Sequence, residues 1–432
     1  MTPAAQCASV IDILKPILEA QKPADRVAQA YFKNHRFVGS HDRNAITSLL
    51  YGIIRHYHRL SWHIHRAQVE LTPRTLLLAY MALVAARPAG MITALYSGEH
   101  HCPAPLSDAE NGLLKRLAGQ QLEQSTMPDA VRYECPDWLE ATLLSRYGDD
   151  FVPLLASLRH EAGVDVRINP LRWTREEALR ELSGLKLSTT KLSPLGMRAQ
   201  ARFAYNQIAA LQDGRLEIQD ESSQICGLLV DAEPGMAVVD LCAGAGGKTL
   251  LLAALMQNKG RLVASDVNDK RLAQCEKRLK KAGVQNTQVR LADKRWRENN
   301  AAKFDRVLID APCTGSGTWR RNPDARLRYG AVDLAEMVTV QRDLLRQGQK
   351  LVKPGGRLVY STCSLLDAEN EAQMAWFSGE YPGFLAEPLA PIAEKQGLKG
   401  LALGQGANTL QLLPHKHGTD GFFVAVWRRS NT

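Results

Sequence analysis

Ala237-Val-Val-Asp-Leu-Cys-Ala-Gly-Ala-Gly-Gly-Lys-Thr249 is the stretch that decides the fold. A short apolar run ends in a glycine-rich turn whose N–H groups face outward at a helix start. Comparable apolar runs follow at Arg261–Asp266, Val289–Asp293, Asp305–Asp310 and Arg357–Cys363, separated by helical stretches such as Lys270–Lys281 and Leu334–Val352. Apolar strands alternating with helices specify an α/β domain with a parallel, doubly wound sheet over residues 221–432. A last pair, Leu410–Leu413 and Phe422–Trp427, is joined by a turn and is expected to add an antiparallel edge.

Upstream the pattern changes. Residues 131–220 mix short strands and helices. Val164–Asn169 alternates like a half-buried strand ended by Pro170, Thr174-Arg-Glu-Glu177 has the form of a capping box, and Ser193–Arg198 reads as a turn. This is a small α+β module with no chemistry of its own. Residues 1–130 carry helical periodicity in Val10–Leu18 and Ala45–Arg55 around a basic stretch, Lys33–Arg43, and read as an all-α bundle. Its histidines 56, 58, 63 and 65 have no cysteine or carboxylate at a ligand spacing. That helix is expected to show a solvated or nucleic-acid-facing surface, with no metal.

Composition sets wider bounds. The 432 residues exceed what one core holds, so two or three domains are expected. Lysine and arginine outnumber aspartate and glutamate 54 to 45, a net +9 that suits a polyanionic partner without requiring one. Eight scattered cysteines form no CxxC, Met1–Pro23 lacks a basic start followed by an apolar run, and no segment spans a bilayer. These features predict reduced thiols in a cytoplasmic protein that does not enter a membrane.

In a doubly wound sheet the ligand sits beyond the carboxyl ends of the strands. The loop of Cys242, Ala243, Gly244, Ala245, Gly246, Gly247 and Lys248 lies there. A nucleotide-triphosphate loop would need glycine where Cys242 stands, and a dinucleotide fingerprint would need one at Thr249. Asp266 ends the second strand, placed either to accept ribose hydroxyls or to cap a helix. Asp293 ends the third, where it can meet an adenine amino group, and Asp310 ends the fourth.

Two cysteines complete that edge. Asp310-Ala-Pro-Cys-Thr-Gly-Ser-Gly317 follows the fourth strand and Ser361-Thr-Cys-Ser364 closes the fifth. A lone buried cysteine is usually a small hydrophobe. Cys313 and Cys363, each beside a turn at a strand end, depart from that pattern. Such a pair suits methylation at cytosine carbon 5: a thiolate adds to carbon 6 and makes carbon 5 nucleophilic toward a methyl sulfonium. Asp310 suits holding the ring, and a second thiol suits removing the carbon 5 proton. Chemistry alone leaves the two cysteine roles interchangeable.

The runs VDLCAGAGGKT, VLIDAPCTGSGTWRRNP and GGRLVYSTCSLLDAENE, in order and spacing, resemble the Nop/Sun family of RNA cytosine-5 methyltransferases, and IQDESSQ (218–224) resembles its entry motif. The resemblance is strong over residues 160–429. It implies a Rossmann-like class I methyltransferase domain that uses S-adenosylmethionine. It also implies that Cys363 is the nucleophile and that Cys313 assists release. Cys242–Lys248, Asp266, Asp293 and Asp310 match its cofactor contacts, and Lys248 lies near both methionine moiety and base. Ala245 departs from it, since many members carry proline there. FVGSHDRNAITSLLYGIIR resembles the NusB-type RNA-binding domain of the bacterial 16S rRNA branch, which implies 16S rRNA as partner; a monomer is expected.

Trp319-Arg-Arg-Asn-Pro-Asp-Ala-Arg-Leu-Arg328 follows the Cys313 turn. Arg320, Arg321 and Arg326 are expected to meet phosphates and Trp319 to stack on a base. The leading expectation is therefore small-subunit rRNA cytosine-5 methylation. Its alternatives are the same chemistry on tRNA and a non-catalytic rRNA-binding assembly factor.

Overall fold

The computed structural model describes residues 1–199, 203, 205–404 and 406–431. It divides into two compact units, Met1–His160 with Trp319–Ala331, and Glu161–Thr318 with Val332–Thr432. Among the described residues no helix is long and apolar enough to cross a membrane.

The first unit is helical from Pro3–Glu19 to Phe151–Arg159, so the all-α stretch runs about thirty residues past its expected end. Local signals set several of these helices. Thr2 caps Pro3–Glu19 with proline in its first turn, and Thr72 and Ser107 open Pro73–Leu83 and Asp108–Leu117 with capping boxes. Val10, Ile13, Leu14 and Ile17 bury one face of the first helix against Ile46, Leu50, Ile53 and Leu77. The histidine-bearing helix is not a solvated face. His63 is buried with Nε2 2.9 Å from the Leu122 carbonyl, and His56 holds the Gly52 carbonyl at 2.6 Å through Nδ1. Burial pushes His56 down to about 4 and His58 to about 3, so both are neutral near pH 7. Only His65 of the four is exposed.

The second unit begins with a small antiparallel sheet of β1 (Val164–Ile168), β2 (Leu187–Thr189), β3 (Gly196–Ala199) and β4 (Leu216–Ile218), in the order β2-β3-β1-β4. β1 is buried along its whole length rather than on one face. Its polar residues find partners inside: Asp165 binds Arg198 at 2.6 Å. The Ser193 turn runs straight into β3. The Thr174 capping box forms as expected.

The large sheet contains β5 (Ala237–Asp240), β6 (Arg261–Asp266), β7 (Thr287–Leu291), β8 (Phe304–Asp310), β9 (Val352–Thr362), β10 (Phe384–Ala386), β11 (Thr409–Leu412) and β12 (Phe422–Arg429). Its order is β10-β12-β9-β8-β5-β6-β7, with β11 on β12. The pairs among β5, β6, β7, β8 and β9 are parallel, and β12 is antiparallel to β9. The antiparallel pair forms, but β12 is no edge. Phe422–Trp427 is buried throughout, between β9 on one side and β10 and β11 on the other. The chain runs outward from β5 to β7 and returns to β8 on the opposite side of β5. β5 and β8 therefore flank the point where strand order reverses, the place for a ligand in such a sheet.

Candidate active site

β5 ends at Asp240, and the following loop has Gly244 at φ 53° and Gly246 at φ 87°. A Cβ on Gly246 would lie 2.5 Å from Cys275 Sγ, so this position needs glycine for room as well as for its backbone. Asp266, at the end of β6, accepts the Gly244 N–H at 2.8 Å and the Asn268 N–H at 2.9 Å. It thus braces the loop. Helix Gly247–Leu255 starts without a side-chain cap, which leaves its first amides for a ligand. Val267, 85 % exposed beside Asp266, adds an apolar surface that the sequence reading missed. Amides without a cap, a carboxylate and an apolar platform fit a nucleoside that carries an amino-acid chain. Asp293 lies two residues beyond the end of β7, where it caps Lys294–Asn299 through the Arg295 N–H and pairs with Arg290 at 3.4 Å.

β8 and β9 run parallel with Asp310 opposite Ser361, so the two cysteine turns leave the sheet side by side. Cys313 Sγ and Cys363 Sγ are 3.4 Å apart, and both residues are half-buried. Asp310 accepts Lys248 Nζ at 2.7 Å and Ser361 Oγ at 3.0 Å. Lys248 Nζ also lies 4.8 Å from the centre of the Phe422 ring. Lys248, from the start of the loop helix, is thereby tied to the end of β8.

Glu369 holds the two turns together. This fully buried carboxylate accepts the Thr314 N–H at 2.9 Å, the Thr314 hydroxyl at 2.6 Å and the Ser364 hydroxyl. Gln341 adds a third side-chain donor at 3.0 Å, and the Gly317 N–H reaches the Cys363 carbonyl at 2.9 Å. Nothing local in the polar run Asp367–Glu371 marks Glu369 as buried. The hydrogen bond with Cys363, then burial and the Glu369 charge, push the Cys313 thiol well above its ordinary value. Cys313 is therefore held in its thiol form, in hydrogen-bonding contact with Cys363.

The basic run after Cys313 departs from expectation. Trp319 is 2 % exposed and Arg326 3 %, so neither is available for the RNA contact expected of it. The Arg326 guanidinium lies 5.1 Å from the Trp319 ring centre and donates to the carbonyls of Glu134 at 3.2 Å and Leu158 at 3.4 Å. Asp324 accepts the Ala24 N–H at 3.1 Å, and Leu327 packs on the helical core. Arg320 and Arg321 are half-buried, with the Arg320 carbonyl taking Arg55 Nη1 at 3.1 Å. These partners lie far away in the chain, where a local reading of charge has no access to them.

Residues 228–428 match the family described as 16S rRNA methyltransferase RsmB/F. A probable ribosomal RNA small subunit methyltransferase B from Synechocystis is 33% identical over 337 residues, 75% of each chain. The ribosomal RNA small subunit methyltransferase B of Sodalis glossinidius is 28% identical over 404 residues, 89% of each. The crystal structure of PH0851 superimposes with a TM-score of 0.77 at 27% identity and covers 99% of both chains.

Proposed function

The chain belongs to the 16S rRNA methyltransferase RsmB/F family, and from that premise we propose that it methylates carbon 5 of a cytosine in small-subunit rRNA through a covalent adduct on Cys363. It is an S-adenosylmethionine-dependent RNA methyltransferase with a Rossmann-like catalytic domain. The observation that carries the finer reading is the 3.4 Å cysteine pair beside the Lys248–Asp310 ion pair.

S-adenosylmethionine supplies the methyl sulfonium. Cys242–Lys248 and Asp266 would hold it, with Asp293 the residue that would meet its adenine. The Cys363 thiolate forms a bond to carbon 6, and the displaced ring electrons make carbon 5 the attacking atom. Asp310, its carboxylate kept in place by Lys248, accepts from the exocyclic amine and from nitrogen 3 in its protonated form, the proton on nitrogen 3 balancing the charge that the thiolate brings into the ring. Once Cys363 is bonded to carbon, the strongest influence keeping Cys313 protonated is gone. Cys313, after passing its own proton to solvent, takes the carbon 5 proton, and the electrons of that C–H bond expel the Cys363 sulfur from carbon 6. The target cytosine must leave its stack for carbon 6 to reach Cys363. The helical residues 1–130 serve as the RNA-binding domain, the module 131–220 as an RNA-binding part or a linker, and Arg320 and Arg321, which follow the Cys313 turn in sequence, remain the candidates for phosphate contact.

The test is incubation of the purified protein with labelled S-adenosylmethionine and undermethylated small-subunit rRNA or tRNA, followed by mapping of 5-methylcytosine. Label at carbon 5 of one rRNA cytosine is the expected result. Incorporation into tRNA alone would move the substrate, and a methyl group on any other atom would overturn the cysteine mechanism.

A further inference from the structure

The small antiparallel module carries more than a linker's share of buried charge. Arg167, in the middle of β1, is 2 % exposed, and burial pushes it down to about 10. A buried guanidinium is costly unless its donors are used. Arg167 Nη1 donates to the Gly247 carbonyl at 3.0 Å and to Gln219 Oε1. Its register partner on β4 is Glu217. Glu217 in turn accepts Arg278 Nη2 at 2.6 Å, and Arg278 Nη1 donates to the Ala245 carbonyl at 2.6 Å.

The two carbonyls on either side of Gly246 are therefore each held by an arginine, and the arginines share Glu217 as counter-charge. C=O and N–H of one peptide point in opposite directions. Holding the Gly247 carbonyl back turns the Lys248 N–H toward the open end of the helix, where an anionic group binds. The Arg278 bond restrains the peptide between Ala245 and Gly246 in the same way.

We propose that Arg167 and Glu217 are positioning residues for S-adenosylmethionine: through the Gly247 carbonyl and through Arg278, the small module sets the shape of the cofactor loop. This rests on the reading that Cys242–Lys248 is the cofactor loop. Binding of S-adenosylhomocysteine by calorimetry tests it, alongside the melting temperature and the KM for RNA. Arg167→Met and Glu217→Gln are expected to weaken binding roughly tenfold, as loss of an outer partner that orients a ligand-binding group does. The KM for RNA should stay within about twofold, and Arg167→Lys, which keeps a donor, should recover part of the affinity. Wild-type affinity in Arg167→Met and Glu217→Gln, whether or not melting falls, overturns the proposal. Asp266→Ala separates the two readings. Should it bind normally as well, the assignment of the loop fails; should it alone bind weakly, only the role of the module fails.

Discussion

Glu369 accepts both the backbone N–H and the hydroxyl of Thr314, at 2.9 and 2.6 Å, and so fixes the residue that follows Cys313. Because the same carboxylate takes the Ser364 hydroxyl, the residue after Cys363 is fixed by the same group. One buried anion thus keeps the two sulfurs in register.

Replacing Glu369 with glutamine keeps the shape but turns an acceptor into a donor facing donors. An unsatisfied buried group costs about 1–3 kcal/mol. Glu369→Gln should lower the melting temperature and reduce kcat about tenfold or more, with little change in S-adenosylhomocysteine affinity. A variant with wild-type kcat would show that cysteine placement does not depend on this carboxylate.

The cysteine pair makes an asymmetric prediction. Cys363→Ala should abolish turnover and leave no covalent product, because the bond to carbon 6 cannot form. Cys313→Ala should form the bond but not release it, so a protein–RNA band resistant to denaturation accumulates. An adduct that requires Cys313 would reverse the two roles.

Burial pushes Asp240 up to about 7, the Asp310 charge adds to this, and the hydrogen bond from Thr249 opposes it. The folded protein then holds a proton that the unfolded chain gives up near 3.8, so Asp240 lowers stability as pH rises from about 4 through about 7. At 1.36 kcal/mol per pKa unit the effect reaches about 4 kcal/mol. Asp240→Asn keeps an acceptor for Thr249 and carries no charge. It should be more stable than wild type at pH 8 and lose that advantage by pH 5, as measured by urea unfolding. An equal difference at both pH values would refute the assignment.

The parallel strands are legible in sequence because strands covered on both faces read as continuous apolar runs. The cofactor loop and both cysteines follow from being placed at the ends of those runs. What pairs with β12 is not legible, since register between distant strands leaves no local trace. Likewise, alternation in β1 signals one wet face, yet Asp165 and Arg167 are buried and find partners within, Arg167 through Nη1. Trp319 and Arg326 show the same limit from the charge side: an arginine-rich run that follows the Cys313 turn has the composition of an RNA contact, yet both residues are buried.

Their burial can be tested by a pair of measurements. Glu134 is fully buried and accepts Arg59 Nε at 2.8 Å; burial pushes its carboxyl above the ordinary value, opposed by the charges of Arg59 and then Arg326. Arg326→Met removes one cation from that cluster, and breaking a buried ion cluster costs about 3–5 kcal/mol. A phosphate contact behaves differently: its loss weakens RNA binding and lowers the slope of log K against log salt by about one. Arg326→Met should therefore lower the melting temperature by several degrees and leave the salt slope unchanged. A reduced slope with an unchanged melting temperature would return Arg326 to the RNA.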